Sequence, residues 1–341
     1  MTGSVRQTPG RIAVVEELRG LAALYVAWFH FTNGNPAFLT EGALKLSGVH
    51  GWVGVQVFFV VSGFIIPFTM HKRGYSMVRH YVPFMAKRLV RLEPPYLACV
   101  LLSVVLGYLS SVLPGFRGEP PAYSATQLLL HVGYLVEIFD HVWVNPVFWS
   151  LAIEFQFYLV IGLLFPVIAN KRRWVRLVSL GILFTSIFLP VSDKLLLPYL
   201  PVFTLGILTF HYYVGWCGVS VYCLASLLMS GAIFLTGSPV IGVAALTAAL
   251  SIAFVRGPGA KWIVWLGTIS YSFYLLHVPI GGRIINLGER LATRIPDKLL
   301  IGFVLAALGI SIAVASLYHR LLERPSQEWS SRIAYRVTNV S

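Results

Sequence analysis

The chain has 341 residues, 57% of them hydrophobic and 11% charged, with a net charge of +13 and a mean hydropathy of +0.76. Soluble domains carry about 25% charged residues, so this composition excludes an ordinary soluble protein and reads as a polytopic membrane protein of all-α class. The cations lie between apolar runs, where they report topology; no basic-aromatic motif accompanies them, and nucleic acid is not an expected partner.

A membrane-crossing helix needs about 20 apolar residues. Ten runs qualify, at 12–33, 50–70, 94–113, 147–169, 174–190, 195–213, 217–236, 239–256, 262–282 and 299–321. With the N-terminus inside, most of the 26 lysines and arginines fall in inner loops and tails, so both termini are expected in the cytoplasm. The expected division is a tail at 1–11, a transmembrane domain at 12–325 and a tail at 326–341, in a multi-pass arrangement in the inner (plasma) membrane. Residues 126–141 are apolar but broken by His131, Glu137 and Asp140, which suits a re-entrant or interfacial segment better than a span. The first run lacks a small-residue cleavage site, so no cleaved leader is expected.

The first run places Arg19 and His30 inside a membrane helix. They fall on one helical face, about three turns and about 16 Å apart, with Ala23 and Ala27 between them. Singly, each has an ordinary explanation: Arg19 as a snorkelling cation, His30 as a neutral interhelical hydrogen-bonding group. Together they read as one wall of a polar cavity, because intramembrane ionisable groups face a cavity or a partner. In the second run Gly51 and Gly54 suit close helix packing, and Ser62 at mid-depth suits a cavity wall.

The next loop carries Arg88 and Arg91, which point the same way on a helical turn. Paired guanidiniums suit bidentate phosphate binding, and anionic membrane lipids would satisfy them too. Pro94-Pro95 is expected to mark the start of the third span. In the fourth run Ser150, Glu154 and Tyr158 share a face, and Glu154 reads as the acid well within a span. Trp149 beside them suits sugar stacking or interfacial anchoring equally. In the ninth run Tyr274 and His277 share a stripe. His30, Glu154 and His277 are expected in the outer half, and Arg19, Arg88 and Arg91 at the cytoplasmic side. Cys99, Cys217 and Cys223 show no metal-ligand spacing, so neither a disulfide nor a metal site is expected.

In order along the chain stand Arg19 with His30, Phe-Phe-Val-Val-Ser-Gly-Phe at 58–64, and Arg88 with Arg91 before Pro94. Trp-Ser-Leu-Ala-Ile-Glu-Phe-Gln-Phe-Tyr at 149–158, Ser-Tyr-Ser-Phe-Tyr-Leu-Leu-His at 270–277, and Glu323 with Pro325 follow. Together, from about Arg11 to Pro325, they resemble membrane acyltransferase family 3, the multi-span enzymes that acylate glycans. One departure is visible: Glu16-Glu17 stands where the family often has Asp-Gly. No hydrolase-like domain is expected beyond the membrane core.

The resemblance implies His30 as catalytic histidine assisted by Arg19. It implies Arg88 and Arg91 as holding the phosphates of an acyl-coenzyme A donor, acetyl-CoA foremost, with no permanently bound cofactor. Glu154 and His277 would shape the cavity and orient the acceptor. The expected reaction is transfer of an acetyl or other short acyl group to a hydroxyl of a cell-surface or exported glycan, which needs a base and positive charge at the developing oxyanion. The competing expectation is a transporter of a glycan, lipid or small anion, which would also use mid-membrane His and Glu; no inverted repeat supports it. A scaffold without catalysis gains nothing from buried ionisable groups.

Overall fold

The computed structural model describes residues 12–113, 119–292 and 297–333. The expected tail at 1–11 and the cations Arg6, Arg11, Arg117, Arg294 and Arg336 fall outside them. The regular structure among the described residues is helical throughout, with no strand. In chain order the helices are α1 (Ala13–Asn33), α2 (Ala43–Gly48), α3 (Gly54–Lys72), α4 (Met77–Ser111), α5 (Ala125–Leu130), α6 (Phe148–Ile168), α7 (Arg173–Thr185) and α8 (Leu200–Tyr213). Then come α9 (Val219–Thr236), α10 (Pro239–Phe254), α11 (Lys261–Thr268), α12 (Ser270–Leu276), α13 (Gly282–Ala292), α14 (Asp297–Tyr318) and α15 (Arg324–Arg332).

Each of the ten apolar runs contributes helix. Among the described residues five helical stretches are long and apolar enough to cross a membrane, and a sixth if the bent α11–α12 pair counts as one. The other runs fall short for readable reasons. The start of α1 carries Glu16, Glu17 and Arg19, and α7, α8 and α10 have 13, 14 and 16 residues.

Two expectations about the elements change, at the third and ninth runs, while the 126–141 segment stays short of a span as expected. The third span does not begin at Pro94: α4 runs unbroken from Met77 through Pro83, Pro94 and Pro95. Proline is tolerated in membrane helices where neighbours satisfy the disturbed backbone. Pro94 and Pro95 leave the carbonyls of Val90 and Arg91 without their i+4 donors; close by, the Tyr271 hydroxyl donates to the Leu92 carbonyl at 2.9 Å and the Tyr318 hydroxyl to that of Pro95, tying this stretch of α4 to its neighbours. Arg88 and Arg91 therefore ride on the spanning helix itself. The 126–141 segment makes only the short α5 and one 3-10 turn. It then reverses through left-handed Tyr134 (φ 56°) and Asp140 (φ 58°). Fully buried His131 pins it to α4, its Nδ1 2.8 Å from the Tyr96 hydroxyl. The ninth run is bent by 61° at Ile269. The boundary drawn at 325 falls inside a continuous helical rod, since π-helical His319–Glu323 joins α14 to α15.

Two glycine crossings set the helix spacing around the interior. A Cβ on Gly63 of α3 would stand 2.1 Å from the Phe203 carbonyl oxygen of α8, and one on Gly206 would stand 2.2 Å from that of Val60. On the other side α1 meets α11 backbone to backbone: a Cβ on Gly267 would lie 2.0 Å from the Glu16 carbonyl oxygen. Small residues let membrane helices approach this closely, and Gly51 and Gly54 pack against the α1 backbone in the same way. Gly267→Ala is therefore expected to cost about 1–3 kcal/mol or more, because neither backbone can yield. Gly302→Ala on α14, where a Cβ meets open space, is expected to be neutral or slightly stabilising. Thermal denaturation of the two variants in detergent checks the contrast.

Candidate active site

Two cavities open among the described residues. The larger, about 500 Å³, is lined by Glu16 and Arg19 of α1, Ser62 of α3, Lys87, Arg88 and Arg91 of α4, Ser150, Glu154 and Tyr158 of α6, and Tyr271 and Tyr274 of α12. The smaller, about 420 Å³, is lined by His30, Asn35, Tyr123, Asn145, Arg283 and Asn286 among others.

Geometry explains who meets whom in the larger cavity. Arg19 lies 3.7 Å from the Glu16 carboxylate one turn earlier. Arg88 stacks its guanidinium over the rings of Phe84 (5.5 Å) and Tyr158 (5.0 Å), an arrangement that holds a planar cation while leaving its edge donors available. Neither Arg88 nor Arg91 forms a salt bridge among the described residues. The i, i+3 spacing brings both cations to one cavity, with Lys87 beside them.

Glu154 accepts a hydrogen bond from Ser62 Oγ at 2.5 Å. Ser150 Oγ and the Tyr274 hydroxyl are 2.6 Å apart, and each lies 3.1 Å from the Val147 carbonyl oxygen. Ser150, Glu154 and Tyr158 thus form one wall, and Ser62 faces them.

The single chamber expected to hold Arg19 and His30 together is divided. Glu154 lines the cation-bearing cavity and does not lie with His30, as depth along the chain had implied. His30 opens into the smaller cavity. Ala23 and Ala27, between Arg19 and His30, are buried, so the polar stripe of α1 faces inward at both ends. A row of rings connects the two spaces. Phe58 meets Tyr274 edge-on at 5.7 Å, Tyr274 lies 5.6 Å from His277, and His277 lies 5.1 Å from His30. Trp149 lines neither cavity; its ring packs on Tyr199 at 5.6 Å and against Phe59 at 6.5 Å. Adjacent helical residues point about 100° apart, so turning Ser150 inward turns Trp149 aside.

Two residues join the site without a role read from the sequence, and a third, Glu93, lies outside the lining of both cavities. Glu323, 2% exposed, accepts from Ser272 Oγ (2.6 Å) and from Gln327 Nε2 (2.8 Å), and lies 2.9 Å from His319 Nδ1. It lines the larger cavity and clamps α12, which carries Tyr274 and leads into the π-helical turn that opens at His277. Its signal was the helical spacing of His319, Glu323 and Gln327. Glu93 lies within α4, an acid the sequence had placed in a loop. Arg283, just after the π-helical turn His277–Gly281, reaches the smaller cavity while donating to Ser110 Oγ at 3.3 Å.

Comparison with known proteins gives the same picture. The O-acetyltransferase OatA of Staphylococcus aureus is 28% identical over 203 residues, which cover 54% of this chain and 31% of that protein. BcsY of Komagataeibacter xylinus, to which a membrane-bound transacylase activity is ascribed, is 32% identical over 176 residues, covering 46% of this chain and 39% of that protein. The chain thus spans about a third of the length of these curated relatives. No solved structure matches it. A family model described as an acyltransferase domain, acyltransferase 3, matches residues 14–320, nearly the full length, and the chain belongs to that family.

Proposed function

We propose that this protein is an integral-membrane O-acyltransferase. It moves an acetyl or other short acyl group from cytoplasmic acyl-CoA to a hydroxyl of a cell-surface or exported glycan. The reading rests on one observation: a cavity that gathers Arg19, Lys87, Arg88 and Arg91 lies one row of rings from His30. Cation-bearing ends of membrane helices favour the cytoplasm, so the larger cavity faces inward, the smaller outward, and the ten apolar runs serve as crossings with both termini inside.

In this scheme the donor phosphates lie against Arg88 and Arg91. The pantetheine arm extends along the Ser62–Glu154 wall towards Tyr274. An acceptor hydroxyl enters from the smaller cavity and gives its proton to His30 as its oxygen attacks the thioester carbonyl carbon. The carbon–sulfur bond breaks, coenzyme A leaves as thiolate and takes up a proton, and the acyl group stays on the sugar oxygen as an ester. Membrane lipids surround the bundle and take no part.

Deleting the gene is expected to remove one acyl increment, 42 mass units per site for acetyl by the chemistry of ester formation at about neutral pH, from the base-labile fraction of the cell's surface glycan. Mass spectrometry of that glycan checks it, and an unchanged spectrum removes the glycan acceptor from the reading.

A further inference from the structure

We propose that His277 is the positioning residue for His30: its Nε2 accepts the N–H of the His30 ring and so fixes which His30 nitrogen stays free to take the acceptor's proton. The proposal rests on the reading of His30 as base.

The argument starts from tautomers. His277 Nδ1 lies 2.7 Å from the Tyr274 carbonyl oxygen and 3.3 Å from that of Phe273. A carbonyl oxygen only accepts, so Nδ1 carries the proton. A neutral imidazole then presents Nε2 as a lone pair. The residue is 0% exposed and forms no salt bridge among the described residues; burying it as an unpaired cation would be costly. His277 Nε2 is buried with no hydrogen-bond partner among the described residues. The nearest polar ring is His30, with centroids 5.1 Å apart and planes at 51°, a separation from which facing ring nitrogens come within hydrogen-bonding reach by a side-chain adjustment.

The backbone keeps the two rings together. His277 opens a π-helical turn that ends at Gly281, and such turns recur at functional sites. A Cβ on Gly281 would stand 2.3 Å from the Phe31 ring, so only glycine lets the residue after His30 dock there. The far side of His30 opens into the smaller cavity. Which imidazole nitrogen is protonated is set by the hydrogen bond the other makes. With its N–H held by His277, the remaining His30 nitrogen faces the cavity as a base. The arrangement parallels an orienting carboxylate behind a catalytic histidine, but with a neutral acceptor, as an apolar surrounding requires.

The test uses full-length protein in native membrane vesicles, which carry the acceptor, with acetyl-CoA as probe and release of coenzyme A thiol as readout. His277→Leu fills the space without an acceptor; His277→Gln restores an acceptor oxygen. His277→Leu is expected to lower kcat about 10- to 100-fold with donor KM unchanged, the scale of lost second-sphere orientation. His277→Gln is expected to recover most of that loss. In a His30→Ala background His277→Leu should lose nothing further, because it acts through His30. Independently of turnover, ring ¹⁵N shifts of labelled histidine should show one fixed His30 tautomer in wild type and His277→Gln, and a mixture in His277→Leu. Wild-type kcat in His277→Leu, equal loss in the Leu and Gln variants, or an unchanged His30 tautomer in His277→Leu would overturn the pairing. A fixed tautomer with His30→Ala still fully active would instead overturn the base and leave the pairing standing.

Discussion

His30→Ala should lower acyl turnover by about 10²- to 10⁴-fold, the usual worth of a positioned general base, with little change in folding or in donor KM. The ring lines the smaller cavity and touches Phe29 and His277 at centroid distances of 5.2 and 5.1 Å, so truncation enlarges an existing space and does not open a void in packed core. The residual rate reflects proximity of donor and acceptor, which the mutation leaves in place. Acyl content of the surface glycan in cells expressing the variant, together with donor consumption in their membranes, checks it. Full turnover at normal expression would take His30 out of the chemistry.

Replacing Arg88 and Arg91 with alanine should instead raise donor KM. A charge-assisted hydrogen bond is worth about 1.5–3 kcal/mol, so each loss predicts roughly a ten- to hundredfold increase. At saturating donor, kcat should hold if these cations bind ground and transition states alike. Arg88→Lys should recover little, since the guanidinium is held flat over Phe84 and Tyr158 and an ammonium cannot reproduce its fork. Donor titrations on the single and double variants decide it. A fall in kcat at constant KM would move the two arginines from donor holding to charge stabilisation at the reacting carbon.

Much of this site is readable in the sequence because its residues repeat with the helical period. Arg88 with Arg91, and Ser150 with Glu154 and Tyr158, each share a face and each line one wall. The departures come from what periodicity does not carry. Glu154 and His30, both expected in the outer half, line different cavities, because Glu154 pairs with Ser62 on a crossing helix and the partner decides the cavity. Pro94-Pro95 reads as a helix start by the rules of water; in the bundle the helix continues through both, packed against α12 and α14, whose Tyr271 and Tyr318 hydroxyls bond neighbouring carbonyls of the same stretch. Glu323 stood in the sequence only as a marker beside Pro325, because Ser272, which it clamps, is remote along the chain. Trp149 shows the converse: its neighbour Ser150 takes the direction of the larger cavity, and its own ring packs on Tyr199.

The row Phe58–Tyr274–His277–His30 also determines what travels. Each elementary charge carried across a membrane potential of 100 mV exchanges about 2.3 kcal/mol, and a coenzyme bearing several phosphate charges would face that barrier many times over. In the proposed reaction the nucleotide halts on one side of this aromatic row and the sugar on the other, and only an uncharged acyl carbon passes. On this scheme export of the modification needs no conduit for protons or salts, and the proposed reaction would leave the cell's electrochemical gradient undrained.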